Sequence, residues 1–310
     1  MEKSLKGRDF ISLHDFTADE IRLFLETAQR LKHGQKLGET IQPLKGKTLG
    51  MIFTKASTRT RVSFEVGMIQ LGGHPLFLSG NDLRLRRGEP IADTARVLSR
   101  YLDGIMIRTY DHQDVLDLAK YATIPVINGL TDLLHPCQVL ADLLTIQEKK
   151  NRLAGLRWAY IGDGNNMAHS IMFGGAKMGM DVVIASPDGY KPNPVIVAQA
   201  QADANANGGR VTVVTSPQEA IKDADVVYTD VWASMGQEEE QEVRAKAFQG
   251  YQVNKENLAL AKPDAIVLHC LPAHRGEEIT DEVIEGPQSM VFDEAENRLH
   301  AQKAILALVM

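Results

Sequence analysis

A chain of 310 residues is long enough for about two domains, and with 44% hydrophobic and 24% charged residues it can bury a sizeable core. A formal net charge of −6 gives no reason to expect nucleic acid or an anionic membrane as partner, so any arginine cluster is a local feature. No apolar run nears the ~20 residues of a membrane helix, the opening M-E-K-S-L-K-G-R-D is too polar for a secretory signal, and two cysteines, Cys137 and Cys270, make no disulfide framework, which leaves a reducing cytoplasm as the default.

Asp15 to Leu31 reads as a helix, with Thr17 as N-cap and Glu20 three residues on, the capping-box spacing. Gly46-Lys47-Thr48 resembles the tail of a P-loop, but position 41 is Ile where that motif needs Gly, and the segment precedes a strand. The pattern then alternates: strand 49–53, helix 59–71, strand 75–78, helix 91–101, strand 104–108, helix 112–121, strand 124–128 and helix 136–150. A second unit begins with strand 156–161 and helix 167–178. Strand 181–185, helix 194–204, a polar turn at 205–209 and strand 211–214 follow. A short helix to Lys222, strand 225–229, helix 239–248, strand 265–268 and an amphipathic helix 293–309 complete the chain. This βαβα rhythm predicts parallel sheets with helices on both faces.

The chemistry-bearing residues fall at the carboxyl ends of strands, where open parallel sheets bind ligands. Ser57, Thr58, Arg59 and Thr60 stand where a strand gives way to a helix, so hydroxyls, a guanidinium and unpaired backbone N–H groups converge as they would on a phosphate. Arg108 ends another strand. His135 and Gln138 lie one turn apart at the start of a helix, and Asp230 tips a strand where an acid suits an ammonium group. Gly162-Asp163-Gly164 has Met167 in the third glycine place and Ala185-Ser186 where a ribose-binding acid would stand, so a nicotinamide site is not expected. Asn165 and Asn166 in that turn suit a carboxylate. His269-Cys270-Leu271-Pro272 admits a cysteine hydrolase, its nucleophile Cys270 paired with His274 or His135, and a noncatalytic binding protein is a third reading. A zinc site on the cysteines has no C-x-x-C in its favour.

Together these motifs resemble the transcarbamylases over essentially the whole chain, the ornithine branch most closely. The carriers are S-T-R-T-R at 57–61, R-G-E-P-I-A-D-T-A-R-V-L at 87–98, M-I-R-T at 106–109, H-P-C-Q at 135–138, G-D-G-N-N at 162–166, D-V-W-A-S-M-G-Q-E at 230–238, H-C-L-P at 269–272 and E-N-R at 296–298. S-T-R-T and H-P-C-Q mark the family in general; S-M-G-Q-E and H-C-L-P mark the ornithine branch. The resemblance implies an α/β fold of two doubly wound parallel-sheet domains with a cleft between them. Residues 1–150, plus a C-terminal helix about 293–310 packing back on them, would bind carbamoyl phosphate, and residues 151–292 would bind ornithine.

The resemblance further implies that Ser57, Thr58, Arg59 and Thr60 hold the phosphate and that Arg108 and His135 reach the carbonyl oxygen. Gln138 would take the carbamoyl amide with the backbone of Cys270 and Leu271, and Arg298 would add charge. Asn166, Asp230, Ser234 and Met235 would hold the amino-acid end of ornithine, with Cys270 near the attacking amine. A homotrimer or assembly of trimers is implied, with no metal and no organic cofactor. The sequence departs from the family in loop 81–88, N-D-L-R-L-R-R-G, where Arg84 stands in place of Gln and Arg86 in place of Gly.

Overall fold

The computed structural model describes residues 4–80, 89–234 and 236–310. Arg84 and its loop 81–88, and Met235, lie outside the described residues. The chain forms two compact units, Met1–Ala141 with Asn297–Met310, and Asp142–Glu296.

In the first unit α1 (Ala18–Lys36) starts as its sequence predicts: the Thr17 N–H donates to Glu20 Oε2 at 2.9 Å, and the Glu20 N–H donates to Thr17 Oγ1 at 3.2 Å. Then come β1 (Thr48–Phe53), α2 (Thr58–Gln70), β2 (His74–Ser79), α3 (Ile91–Leu98), β3 (Gly104–Arg108), α4 (His112–Tyr121), β4 (Val126–Leu130) and α5 (Pro136–Lys150), which from Asp142 onward belongs to the second unit. The four strands are parallel in the order β2-β1-β3-β4. β3 and β4 are buried at every position and mostly apolar, Arg108 at the end of β3 and Asn128 within β4 being the buried polar residues. The chain moves from β1 to one side and then returns to the other, so the strand order reverses between β1 and β3. Ligands of open α/β sheets bind at such a reversal, and here it is flanked by Ser57 to Thr60 after β1 and by Arg108 at the end of β3.

β4 lies two residues beyond the predicted 124–128. Its pairing shifts there: Ile107 faces Asn128 but Arg108 faces Leu130, so Gly129 is an inserted residue. A β-carbon on Gly129 would stand 2.6 Å from Met106 Sδ and 3.1 Å from the Ile107 carbonyl oxygen, so any larger residue would push β3 and β4 apart.

The second unit holds β5 (Arg157–Ile161), α6 (Asn166–Lys177), β6 (Asp181–Ala185), α7 (Pro194–Asn207), β7 (Arg210–Val214), α8 (Pro217–Ile221), β8 (Val226–Thr229), α9 (Gln241–Ala247), α10 (Lys255–Leu258), β9 (Ile266–Leu268) and α11 (Asp281–Ile284). Its sheet is parallel in the order β7-β6-β5-β8-β9, and the reversal falls between β5 and β8. Asn165 and Asn166 follow β5, and Asp230 follows β8. The polar turn predicted over 205–209 is shorter: α7 continues to Asn207 and stops at Gly208, whose φ of 75° is the left-handed C-cap that glycine adopts without strain.

The last helix, α12 (Val291–Val309), begins in the second unit, and from Asn297 onward belongs to the first. There it packs on α1 and α2. Lys32 donates to Asn297 Oδ1 at 2.8 Å, and Lys303 donates to Gln35 Oε1 at 2.8 Å and Gln70 Oε1 at 3.0 Å. The helix is not the one-sided amphipath its apolar spacing predicts. His300, Gln302 and Lys303 are buried along with Ala301, Ala304, Ile305 and Leu306, because polar partners meet it on its other faces.

Candidate active site

The first unit gathers positive charge around His135. Ser57 caps α2, accepting the Thr60 N–H at 3.2 Å. The Thr60 hydroxyl is buried and is a meeting point: Ser57 Oγ donates to it at 3.2 Å, Arg298 Nη2 at 3.3 Å and Arg108 Nη1 at 3.4 Å. Arg298 Nη1 also donates to Gln138 Oε1, and Gln302 Oε1 takes two further bonds from the same guanidinium at 2.9 and 3.1 Å. Two arginines therefore share one hydroxyl, and Gln302 locks the second by a fixed fork. Thr58 and Arg59 are exposed at the helix N-terminus.

His135 is buried, and burial pushes its pKa well below the ordinary histidine range. The nearby charges of Arg298, Arg108, Lys55 and Arg59 push the same way. The imidazole is neutral near pH 7. A neutral ring amid four cations donates one hydrogen bond without adding to the local charge. Cys137 plays no part: it is fully buried, its thiol donates to Asn128 O at 3.3 Å, and burial raises its pKa to about 12.

The second unit assembles an acidic counterpart. Asp230 is buried, and its carboxylate accepts Asn165 Nδ2 at 2.9 Å, the Val231 N–H at 2.8 Å and the Cys270 thiol at 3.2 Å. Asn165 is thus spoken for. It caps α6 through Met167 N and Ala168 N while orienting Asp230, and Asn166, half-buried like Asn165, is the first residue of α6. The glycine pattern of the turn is a packing device: a β-carbon on Gly164 would stand 2.2 Å from Pro192 N.

Ser234 is half-buried, its N–H donating to Gln237 Oε1 at 3.0 Å. Cys270 is not an activated nucleophile. Burial, and the negative charges of Asp230 and Glu294, push its pKa well above the thiol range, so the sulfur stays protonated and donates. His274 turns its ring toward Glu277, at 3.6 Å, and so does not serve the thiol. The cysteine-hydrolase reading loses its thiolate.

Three residues with a part in these arrangements carry no motif signal. Lys55 sits inside the phosphate-type loop, buried, paired with Asp132 at 3.1 Å, and adds to the field on His135. Gln302 fixes Arg298. Arg244, on α9, is buried; it pairs with Asp163 at 2.9 Å and donates to the Trp232 carbonyl at 2.9 Å, tying Trp232 to the turn after β5. Only its burial distinguishes it from its charged neighbours.

Residues 8–148 match the carbamoyl-P binding domain of the aspartate/ornithine carbamoyltransferases, and residues 154–309 match their Asp/Orn binding domain. The chain belongs to the aspartate/ornithine carbamoyltransferase family. Within this family it is 65% identical over 307 residues to the ornithine carbamoyltransferase of Symbiobacterium thermophilum, spanning 99% of each chain. It is 61% identical over 310 residues to the ornithine carbamoyltransferase of Pyrococcus furiosus named as anabolic, spanning 100% of this chain and 98% of that one. The solved Pyrococcus furiosus enzyme superposes with a TM-score of 0.97 at 61% identity, over 99% of this chain and 98% of that one. The Gloeobacter violaceus ornithine carbamoyltransferase gives 0.88 at 51% identity, over 98% and 99%. The carbamoyltransferase motifs at 57–61 and 135–138 are thus the residues gathered around His135.

Proposed function

We propose that this chain transfers the carbamoyl group of carbamoyl phosphate to the δ-amine of L-ornithine, giving L-citrulline and phosphate in arginine metabolism. The observation that carries this reading is the neutral, buried His135 ringed by Arg298, Arg108, Lys55 and Arg59, beside the hydroxyls and open helix end of α2. That arrangement suits a dianionic phosphate joined to a carbonyl. The first 150 residues with the helix from about 293 form the carbamoyl phosphate domain, and 151–292 the ornithine domain.

Ser57, Thr58, Arg59 and Thr60 hold the phosphate, with Arg298 adding charge. Arg108, His135 and the Thr60 hydroxyl face the carbonyl oxygen and stabilise the negative charge that grows there as the amine attacks. Gln138 accepts from the carbamoyl NH2, and Cys270 and Leu271 offer main-chain carbonyls to the same group. Asn166 and Ser234 bind the carboxylate end of ornithine and Asp230 its α-ammonium, with Met235 completing that site. The C–O bond to phosphate breaks after the C–N bond forms, and the departing phosphate takes the amine proton. Holding both reactants in place supplies much of the rate.

The protein acts in the cytoplasm, in the biosynthetic direction that its Pyrococcus furiosus relative's name indicates, and as a homotrimer or assembly of trimers. In support of an assembly, Val62 and Ile69 of α2 and Leu76 and Phe77 of β2 are 50%, 61%, 47% and 38% exposed, apolar surface that a second copy would cover. The reading is tested by supplying carbamoyl phosphate with ornithine, aspartate, lysine and putrescine in turn and measuring ureido product. Ornithine should lead by a wide margin. Preference for another amine, or no product, removes the assignment.

A further inference from the structure

The turn that carries Cys270 and Leu271 is held by side chains that take no part in the chemistry above. Leu271 has φ of 55°, in the left-handed region that a residue with a β-carbon avoids. Its N–H donates to His269 Nδ1 at 2.9 Å. A backbone N–H can only donate, so Nδ1 is the accepting nitrogen and the ring proton sits on Nε2. Nε2 lies 2.9 Å from Glu278 Oε1 and donates to it. Both side chains are buried, His269 at 1% and Glu278 at 0% exposure. Glu278 Oε1 also accepts the His274 N–H at 2.7 Å, closing the far side of the turn. The His269 main chain is pinned as well: its N–H donates to Glu294 Oε2 at 2.9 Å, and Tyr228 holds the other oxygen of Glu294 at 3.0 Å. A side-chain acceptor on the N–H two residues ahead is the closure an Asx-turn makes. Here an imidazole performs it, and Glu278 dictates which nitrogen is free to accept.

We propose that His269 is a positioning residue for carbamoyl transfer: oriented by Glu278, it holds Leu271 in its left-handed conformation and so fixes the Leu271 and Cys270 main chain, and the Cys270 thiol on Asp230. The proposal rests on the carbamoyl-transfer reading. The parent enzyme's citrulline production with ornithine tests that reading separately. The variants that test the positioning role are His269→Asn, whose Oδ1 can take the place of Nδ1 toward Leu271, and the double variant His269→Leu with Glu278→Gln, which fills the space, leaves no bare buried carboxylate and removes the acceptor.

Displacing the turn by even an ångström should lower kcat of the double variant roughly 100-fold. Norvaline affinity should hold, because Asn166, Asp230 and Ser234 are untouched. His269→Asn should recover most of the lost kcat. A folded double variant with parental kcat overturns the proposal, as does His269→Asn no better than the double variant. If the double variant does not fold, His269→Asn decides alone: it keeps the bond to Leu271 and gives up the one to Glu278, so a folded His269→Asn that has lost roughly 100-fold in kcat also overturns it.

Discussion

Replacing Arg298 by methionine separates binding from folding in one variant. Arg298 is 4% exposed and reaches Thr60, Gln138 and Gln302. Its loss leaves buried acceptors short of a donor, at about 1–3 kcal/mol apiece where nothing replaces it. Against this, Arg298 and Arg108 both reach the Thr60 hydroxyl, which keeps the two charges within about 7 Å. At an effective dielectric of ~20 that pair repels by about 2 kcal/mol. In the ligand-free enzyme the two effects oppose each other, and the melting temperature should move by only a few degrees. Carbamoyl phosphate reverses the balance, because its charge is what makes the clustered cations favourable. Removing one charge-assisted contact, about 1.5–3 kcal/mol, should raise KM for carbamoyl phosphate roughly 10- to 150-fold.

A second readout comes from His135. Arg298 is the foremost charge depressing its pKa, so the variant's imidazole should take up a proton at higher pH than the parent's. An activity that depends on the neutral ring then falls off sooner as pH is lowered. Steady-state citrulline production across pH, with carbamoyl phosphate varied, measures both effects. Parental KM together with an unmoved acid limb would refute this account of the charge cluster.

Arg244→Met should cost the second unit about 3 kcal/mol, since it strips the partner from buried Asp163; a denaturant midpoint unchanged from the parent would show the pair to be dispensable. Cys270→Ser keeps a donor toward Asp230 and should retain measurable turnover, whereas complete loss in the mutant with an isolable acyl-enzyme in the parent would revive the hydrolase. Norvaline, which has ornithine's amino-acid end and no δ-amine, should compete with ornithine and not with carbamoyl phosphate in initial-rate plots. At limiting ornithine the rate should climb as pH rises above neutrality, because the free δ-amine, resembling lysine with a pKa of about 10.4, attacks only when deprotonated; a flat profile there would argue that another step limits the rate.

Much of this molecule was local in origin and therefore legible from the chain alone. Buried parallel strands such as β3 and β4 are built mostly from apolar residues, and helix starts need caps, so strand rhythm, the Thr17–Glu20 box and the Ser57 turn are visible in short windows. The residues gathered around His135 also come in short clusters, 57–60 and 135–138, because a phosphate needs many donors from one helix end. What only the tertiary structure decided depends on partners far away in sequence. The order of strands, which puts a reversal beside Ser57 and Arg108 in one sheet and beside Asn165 and Asp230 in the other, is set by packing that no window contains. Arg244 and Lys246, two residues apart on α9, look alike on paper. Arg244 is buried because Asp163 and the Trp232 carbonyl await it, while Lys246 stays at the surface. Cys270 illustrates the same limit. Its place after a strand is compatible with a nucleophile or a bystander, and it is burial, together with the carboxylates of Asp230 and Glu294 brought beside it by β8 and α12, that keeps its proton on the sulfur. Charge and protonation are properties of surroundings, and surroundings are made by the fold.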